Sequence, residues 1–455
     1  MKNICLILVA LVVSSVAMSA AAADIPPQLL SFSVAKERQA RELATNLNLT
    51  VSPQIWDFFK AAQQGDWLSV SNGFARLRQR NNQYEGITTN DPTVASPVWQ
   101  TLIEVQLAFW PFTAGGPKYP LAYGEGIVKS IPPGSIYFGG TDPGRGLVTA
   151  LCRSQIQADP FYTLTQNALA DARYLDYLRS MYGKRIYLPT AEDSQKAFTD
   201  YTQDVTRRKE LNQLKPGEEV TVEQGRVQVR GQVAVMSING LLVKDIFEHN
   251  PNCEFYLEES FPLDWMYPYL VPHGLIFKLN REPLPALTAE QVAADHAFWS
   301  KQCGAMLGDW LKPETTVSNV CAFVSVVYLQ KDYSHFTGDQ EFVTNDFATR
   351  SYSKLRSSLA GLYAWRLTMN KAEAGDKAQL RAETDYAFKQ AFALCPFSPE
   401  AVYRYVNFLL AQTRTEDAVL IAATASKLNP ENEQLKNLLA QLQNYGEQKN
   451  KTPAH

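Results

Sequence analysis

Apolar residues recur at helical spacing through the first part of the chain. Val34 to Leu47 places them at roughly helical intervals among Lys, Arg and Glu, and Pro53 begins a second segment of this kind. A Gly-Asp-Trp turn at Gly65 separates that segment from another apolar run at Leu68 to Leu77. The pattern predicts an N-terminal helical region over residues 24–125 with at least one helical hairpin.

The period changes in the middle of the chain. It begins with a β-rich apolar run at Ser135–Phe138 and a glycine-dense loop at Gly139–Gly146. An amphipathic segment of helical period follows at Leu147–Ile156, and then a second short strand at Phe161–Leu164. This order of strand, loop, helix and strand is typical of the start of a parallel α/β sheet. We expect any ligand site of such a sheet at the carboxyl ends of its strands.

Further strands are predicted downstream, at Arg185–Leu188, in a hairpin over Val220–Val229, at Glu254–Leu257 and at Leu275–Leu279. Helical segments separate them, one of which we expect Ser237 to cap. This alternation favours one twisted sheet with the hairpin on an edge. The predicted fold class is α/β, with a central, mostly parallel sheet in residues 126–286 flanked by helical hairpin regions.

The last part of the chain carries an internal period. Leu394-Cys395-Pro396 and Leu428-Asn429-Pro430 lie about 34 residues apart, one tetratricopeptide period. Each follows an apolar helix and precedes an acidic helix start. We therefore predict a tetratricopeptide-like helical region over residues 287–445, whose repeats contact a protein or peptide partner, and a disordered tail over residues 446–455.

The first residues have the pattern of a secretory signal peptide. Lys2 precedes an apolar core from Ile4 to Val16, and three alanines ending at Ala23 give a small-residue cleavage pattern. The core is short for a membrane span. We expect a signal peptide over residues 1–23, a mature protein that is periplasmic or extracellular, and no membrane span after signal removal.

The net charge and the cysteine content make some classes of function less compatible with this sequence. The formal net charge of −3 argues against a nucleic-acid partner. Of the six cysteines, Cys5 would leave with the signal, and the others form no CxxC pair, so the sequence supports no metal site. Export permits disulfides, with Cys303 and Cys321 as one plausible pair, but buried thiols that act as small hydrophobic groups are an equally good interpretation.

The predicted topology suggests where a ligand would bind. Parallel strands would gather polar residues from three loops at one edge of the sheet, and the candidate ligand-binding residues are Asp142, Arg145, Asn167, Asp171, Glu258 and Glu259. The glycine loop before a helix suits an anion, and several carboxylates suit a cation or acid–base chemistry. Alternatively, the acidic residues cap helices and the glycines allow a tight turn. No motif identifies a cofactor or a catalytic residue.

The order of motifs resembles a known architecture. Four motifs precede the helical repeats, namely GGTDPGRG, ADPFYTLTQNALADARYLDYL, INGLLVKDIFEHNPNCEFYLEES and YPYLVPHGLIFKLNREP. This series resembles the soluble C-terminal region of large bacterial membrane proteins with a protein O-mannosyltransferase-like transmembrane half. The resemblance covers Ile131 to Leu442 and implies an exported soluble domain with repeats. This chain has a cleavable signal where that family has its membrane half, to which glycosyl transfer belongs, so the resemblance implies no transferase activity.

Two hypotheses about function follow. The first is an exported, non-catalytic binding or scaffold protein, whose helical repeats contact a protein or peptide and whose α/β domain holds a small ligand in a crevice. The second is a hydrolase or transferase that acts on a carbohydrate or phosphorylated substrate at the loops after the strands.

Overall fold

The structure is a computed structural model that describes residues 25–451 except 85, 114, 140–141, 156–159, 224–225, 259–261 and 370–373. Side chains at 142–143, 153–155, 222–223, 226, 374–376 and 445–451 also lie outside the description, as does the predicted signal peptide. The chain forms two compact units. The first holds the residues up to Thr113 and Ile131–Tyr256, and the second holds Ala114–Ser130 and the residues from Leu257 onward.

Helices fill the N-terminal part of the first unit, as the pattern predicts. They are α1 (Pro27–Asn46), α2 (Pro53–Gln63), α3 (Trp67–Arg78) and α4 (Trp99–Phe109), and the next helix, α5 (Lys118–Ser130), belongs to the second unit. Pro53 opens α2, where its fixed φ and missing N–H cost nothing. Asp66 caps α3, because its carboxylate accepts a 3.1 Å hydrogen bond from the Ser69 N–H. Helix α4 is buried over most of its surface and packs against α1.

The predicted strand, loop, helix, strand unit is confirmed. The elements of the first unit that follow are β1 (Ile136–Gly139), α6 (Asp142–Gln155), β2 (Tyr162–Thr165), α7 (Ala172–Tyr182), α8 (Ala191–Glu210), β3 (Glu219–Glu223), β4 (Arg226–Arg230) and α9 (Gln232–His249). Strands β1 and β2 pair in parallel, with Ile136 opposite Tyr162 and Gly139 opposite Thr165. Their carboxyl ends therefore meet at one edge of the sheet.

The main sheet is mixed rather than mostly parallel. Three further strands are β5 (Phe255–Glu258), β6 (Leu270–His273) and β7 (Ile276–Leu279), and the strand order is β2-β1-β5-β7-β6. Strands β6 and β7 are an antiparallel hairpin, whose turn contains Gly274 with a φ of +62°. The predicted hairpin is also present, as β3 and β4, but it forms a two-stranded sheet of its own instead of an edge of the main sheet.

Two local predictions are wrong for identifiable reasons. Residues 185–188 form no strand, because the backbone of Tyr187 bonds to the Asn250 side chain, through its N–H at 2.8 Å and its carbonyl at 3.1 Å. Ser237 does not cap a helix. Helix α9 begins earlier, after Gly231 with a φ of +86°, and the Ser237 hydroxyl donates to the Val233 carbonyl inside it.

The second unit is built mainly from helices. After β7 these are α10 (Ala289–Leu307), α11 (Val317–Val324), α12 (Gln340–Thr344), α13 (Asp346–Met369), α14 (Ala374–Leu394), α15 (Pro399–Ala411), α16 (Thr415–Leu428) and α17 (Glu433–Lys451). The two Leu-X-Pro motifs end α14 and α16, and each precedes the next helix of the series. Helix α17 extends into the stretch predicted as a disordered tail. The tetratricopeptide identity of these helices stays a prediction.

A short π-helix, Ser325–Leu329, continues α11 and places Tyr328 against the end of α14. Its hydroxyl is 3.0 Å from the carbonyl oxygens of both Ala393 and Leu394, two of the carbonyls that a helix end leaves without intrahelical partners. The Leu394-Cys395-Pro396 turn is thus held by a tertiary contact.

The structure also bears on the predicted disulfide and on whether any helix could span a membrane. Cys303 and Cys321 are separate, buried thiols, so the disulfide considered for them is not formed and the interpretation as small hydrophobic groups holds. Within the described part of the chain, no helix is both long and apolar enough to cross a membrane.

Candidate functional site

The structure brings together two of the predicted site residues in the first unit. Arg145 lies in the first turn of α6, after β1, and Asp171 is the N-cap of α7, after β2. Asn167 is in the 3₁₀ turn that directly follows β2. Glu258 ends β5 and belongs to the second unit. The Asp142 side chain and Glu259 lie outside the described residues.

Arg145 is a buried guanidinium with a neutral hydrogen-bond partner. The side chain is 5 % exposed, and its Nη2 donates to Oε1 of Gln100 on α4 at 2.5 Å. Its Cζ lies 4.7 Å from the centre of the Tyr174 ring, which gives a cation–π contact. Among the described residues, no carboxylate forms an ion pair with it and no acceptor bonds to its Nε. A buried cation in this state has an incomplete set of partners.

Asp171 is an acidic group that interacts electrostatically with this cation. The carboxylate accepts a 3.0 Å hydrogen bond from the Arg173 N–H and a second bond from the Gln83 amide. Burial raises the pKa of the Asp171 carboxyl, while the positive charges of Arg173 and Arg145 act in the opposite direction. Burial therefore makes ionisation of Asp171 less favourable in the folded protein than in water.

The glycine loop has a packing role that neither sequence interpretation included. A Cβ on Gly139 would lie 2.9 Å from the carbonyl carbon of Gly144, so β1 and the start of α6 touch through backbone atoms. A Cβ on Gly146 would lie 2.5 Å from the backbone of Leu107 in α4. Glycine at these two positions allows close approach of main chains, and this accounts for them without a bound anion.

Asn167 contributes its backbone carbonyl to a contact that holds the loop after β2. Its carbonyl accepts a 2.9 Å hydrogen bond from the amide of Asn239 on α9, whose side-chain oxygen accepts 2.7 Å from the Ala170 N–H. The loop after β2 is therefore fixed by one buried asparagine. This residue lies in a segment of the sequence that reads as an ordinary apolar helix.

The sequence analysis also missed the side chains that contact Arg145 and Asp171. Gln83 precedes the helix α4, Gln100 lies within it, and Tyr174 faces the site from α7. A signal was present for Gln100: it is a polar residue in a helix that is otherwise buried and largely apolar. Buried polar residues in such a helix need partners, so they are worth marking as site candidates.

Glu258 forms a separate polar cluster in the second unit. Its Oε1 accepts 2.7 Å from the Lys354 ammonium on α13 and 3.2 Å from the Tyr123 hydroxyl on α5. The Glu258 side chain is fully buried, and its Oε2 has no hydrogen-bond partner in the described part of the chain. A carboxylate, an ammonium and a phenol at the end of a strand can hold and move protons.

Two surface cavities lie in the first unit. One, of about 270 Å³, is between α1 and the end of α7. The other, of about 440 Å³, lies along the α2–α3 hairpin and is lined by polar and charged residues such as Asp57, Lys60 and Arg76. In the described residues there is no group of three or more His, Cys, Asp or Glu side chains arranged to hold a metal ion.

Comparison with known proteins adds no further assignment. No protein-family model, curated protein or solved structure matches this chain.

Proposed function

We propose that this protein is an exported, non-catalytic binding protein that takes up a small anionic ligand at Arg145. The ligand would sit at the carboxyl ends of β1 and β2, and the helices α13 to α17 would contact a protein or peptide partner. The observation that carries the proposal is the buried guanidinium of Arg145, with which no carboxylate of the described residues forms an ion pair. The signal-peptide pattern of residues 1–23 supports the export of the chain.

Three of the other buried cations in the described part of the chain have anionic partners, and the fourth, Arg366, donates instead to backbone carbonyls such as those of Leu284 and Pro268. Lys36 is fully buried and pairs with Glu104, and Arg356 is fully buried and bonds to Asp295 at 2.7 Å. Burial of a charge without such a partner is costly, so proteins rarely retain one for packing alone. Arg145 therefore has the character of a ligand-binding residue.

The surroundings of Arg145 favour an anion of planar or tetrahedral oxygen geometry. Guanidinium groups bind carboxylate and phosphate through two parallel N–H bonds, and here Gln100 and Tyr174 fix the plane of the group in advance. The fixed plane reduces the entropy lost on binding.

Titration calorimetry of the full chain with inorganic phosphate, a sugar phosphate and a nucleotide, at constant ionic strength, tests this proposal. We expect at least one of them to bind, and Arg145→Gln to weaken that binding at least tenfold. A hundredfold excess over the Kd should add about 2.7 kcal/mol to the stability. Arg207→Gln is the matched control, since Arg207 is exposed and pairs with Asp204 on the same helix. Failure of all three ligands, or equal binding by Arg145→Gln, would exclude the ligand site.

The partner-binding part of the proposal has its own test. Helices α15 and α16 pack against each other and α16 packs against α17, an arrangement that can present an extended surface. Deletion of residues 398–442 should abolish capture of a partner by the exported protein, whereas Arg145→Gln should leave it intact. Circular dichroism must show that the rest of the shortened chain is still folded. Capture by the folded, shortened chain would contradict the proposal.

A second candidate function rests on Glu258. Its unpartnered oxygen beside Lys354 and Tyr123 favours a hydrolase or transferase that acts on a carbohydrate or phosphorylated substrate. Nitrophenyl glycosides and nitrophenyl phosphate are suitable substrates for a test. Turnover that Glu258→Gln reduces at least a hundredfold would support an enzyme, and absence of turnover with every substrate would count against one.

A further inference from the structure

The cavity between α1 and the end of α7 is lined by charged groups that are not paired with each other. Arg38 and Glu42 enter it from α1, and Arg185 enters it from the turn after α7. Among the described residues, none of these three side chains forms an ion pair. Arg38 and Glu42 are four positions apart, the spacing at which the neighbouring Glu37 and Arg41 do pair, at 2.6 Å.

Arg185 is held in place by its own surroundings. Its Cζ lies 5.2 Å from the ring centre of Tyr162 and 5.5 Å from that of Tyr182, and its Nη2 donates to the Met181 carbonyl at 3.3 Å. A guanidinium fixed by two rings and a carbonyl loses little freedom when it binds an anion.

Gln39 connects the wall of the cavity to the buried pair of Lys36 and Glu104. The Lys36 ammonium can only donate, so the atom of Gln39 that lies 2.9 Å from it must be the amide oxygen. The Tyr177 hydroxyl donates to Glu104 at 2.8 Å and belongs to the same network. The exposed side chains of Arg38 and Glu42 thus stand on a helix that is anchored by a buried network on its other side.

The charges around the cavity select the ligand. Two guanidinium groups attract a carboxylate, but Glu42 repels a multiply charged anion and attracts an ammonium group. The volume of about 270 Å³ corresponds to about nine water molecules at about 30 Å³ each. We propose that this cavity binds a small zwitterion of the amino-acid or short-peptide class. Its carboxylate would contact Arg38 and Arg185, and its ammonium group would contact Glu42.

Calorimetric titration of the full chain with the twenty amino acids and a set of dipeptides tests this inference. It also shows whether the ligand is a free amino acid or a short peptide. We expect at least one zwitterion to bind, its N-acetylated and C-amidated forms to bind at least tenfold more weakly, and binding to weaken as salt is added. Arg185→Gln and Glu42→Gln should each reduce the affinity at least tenfold. Lys184→Gln, which removes a neighbouring exposed cation outside the cavity, should leave it unchanged.

The results also separate this site from the anion site. Arg145→Gln should keep zwitterion binding, and Arg185→Gln should keep phosphate binding. If no zwitterion binds, or if binding is the same in Arg185→Gln, Glu42→Gln and the wild type, the inference is wrong. Equal affinity of the N-acetylated form would exclude the role of Glu42.

Discussion

A methyl group on Gly146 would lie 2.5 Å from the carbonyl carbon of Leu107, so α6 and α4 approach each other through their backbones at this point. The same hypothetical atom would lie 2.6 Å from the backbone nitrogen of Ala108. Because main-chain atoms cannot rotate away as a side chain can, any residue larger than glycine must push the two helices apart. The position of Arg145, one residue earlier, depends on this contact.

We therefore expect Gly146→Ala to lower the free energy of unfolding by about 1–3 kcal/mol, the usual cost of overpacking, and to weaken ligand binding at Arg145. Urea unfolding measures the first effect and calorimetry the second. Gly361→Ala is the matched control, since Gly361 also lies inside a helix but its Cβ would meet nothing within 4 Å. That change should stabilise the protein by about 0.5–1 kcal/mol. A neutral Gly146→Ala would contradict the close helix contact.

Removing one partner of the buried ion pair of Lys36 and Glu104 should lower the free energy of unfolding strongly, whereas replacing both partners with apolar residues should lower it little. Glu104→Leu leaves the fully buried Lys36 ammonium without its carboxylate, and we expect a loss of about 3–5 kcal/mol in urea unfolding. The double variant Lys36→Met with Glu104→Leu removes both charges and should recover most of that loss. If the double variant is as unstable as the single one, the cost lies in packing and not in the unpaired charge.

Asp171 should give a pH dependence of stability. Burial raises its pKa in the folded state above the value of 3.8 for the unfolded chain, so the folded state binds the proton more tightly. Its contribution to stability is then fully present below pH 3.8 and is lost as the pH rises through the folded pKa. Asp171→Asn keeps an amide oxygen for the Arg173 N–H and cannot ionise, but it loses the bond from the Gln83 amide, a cost that does not depend on pH.

We accordingly expect the stability of Asp171→Asn relative to the wild type to be highest at pH 7 and to fall as the pH is lowered toward 4. Urea unfolding of both proteins across this range is the measurement. Asp264→Asn serves as a control, because Asp264 is an acidic residue of a 3₁₀ turn in the second unit, remote in sequence from the site. A stability difference that grows toward acidic pH would reverse the sign and refute the raised pKa.

The buried thiols should be unreactive in the native protein. Burial raises the pKa of Cys303 and of Cys395 to about 12 and that of Cys321 to about 11, and the thiolate is the reactive form. With iodoacetamide at pH 8 we expect the half-buried Cys253 to be labelled first, as judged by peptide mass spectrometry. The four buried cysteines, Cys152 among them, should be labelled upon unfolding in urea. Rapid native labelling of Cys303 would mean that α10 opens locally.

The hydrophobic pattern was sufficient for most individual elements. Pro53 and Asp66 mark helix starts through their own backbone preferences, and the strand, loop, helix, strand order between Ser135 and Thr165 follows from local periodicity. These features depend on residues close in sequence, so a single sequence contains the information. The positions of Arg145 and Asp171 at strand ends follow from the same reasoning.

Tertiary contacts decided what local pattern could not. The Asn250 side chain takes the backbone bonds of Tyr187 and so prevents a strand, and a turn at Gly274 makes the last two strands antiparallel. The partners of Arg145 come from α4 and α7, and those of Glu258 come from α5 and α13. The sequence by itself determined most of the helices and strands and where the candidate loops lie. The neighbours of each charge required the tertiary structure, because they lie from tens of positions to more than a hundred away along the chain.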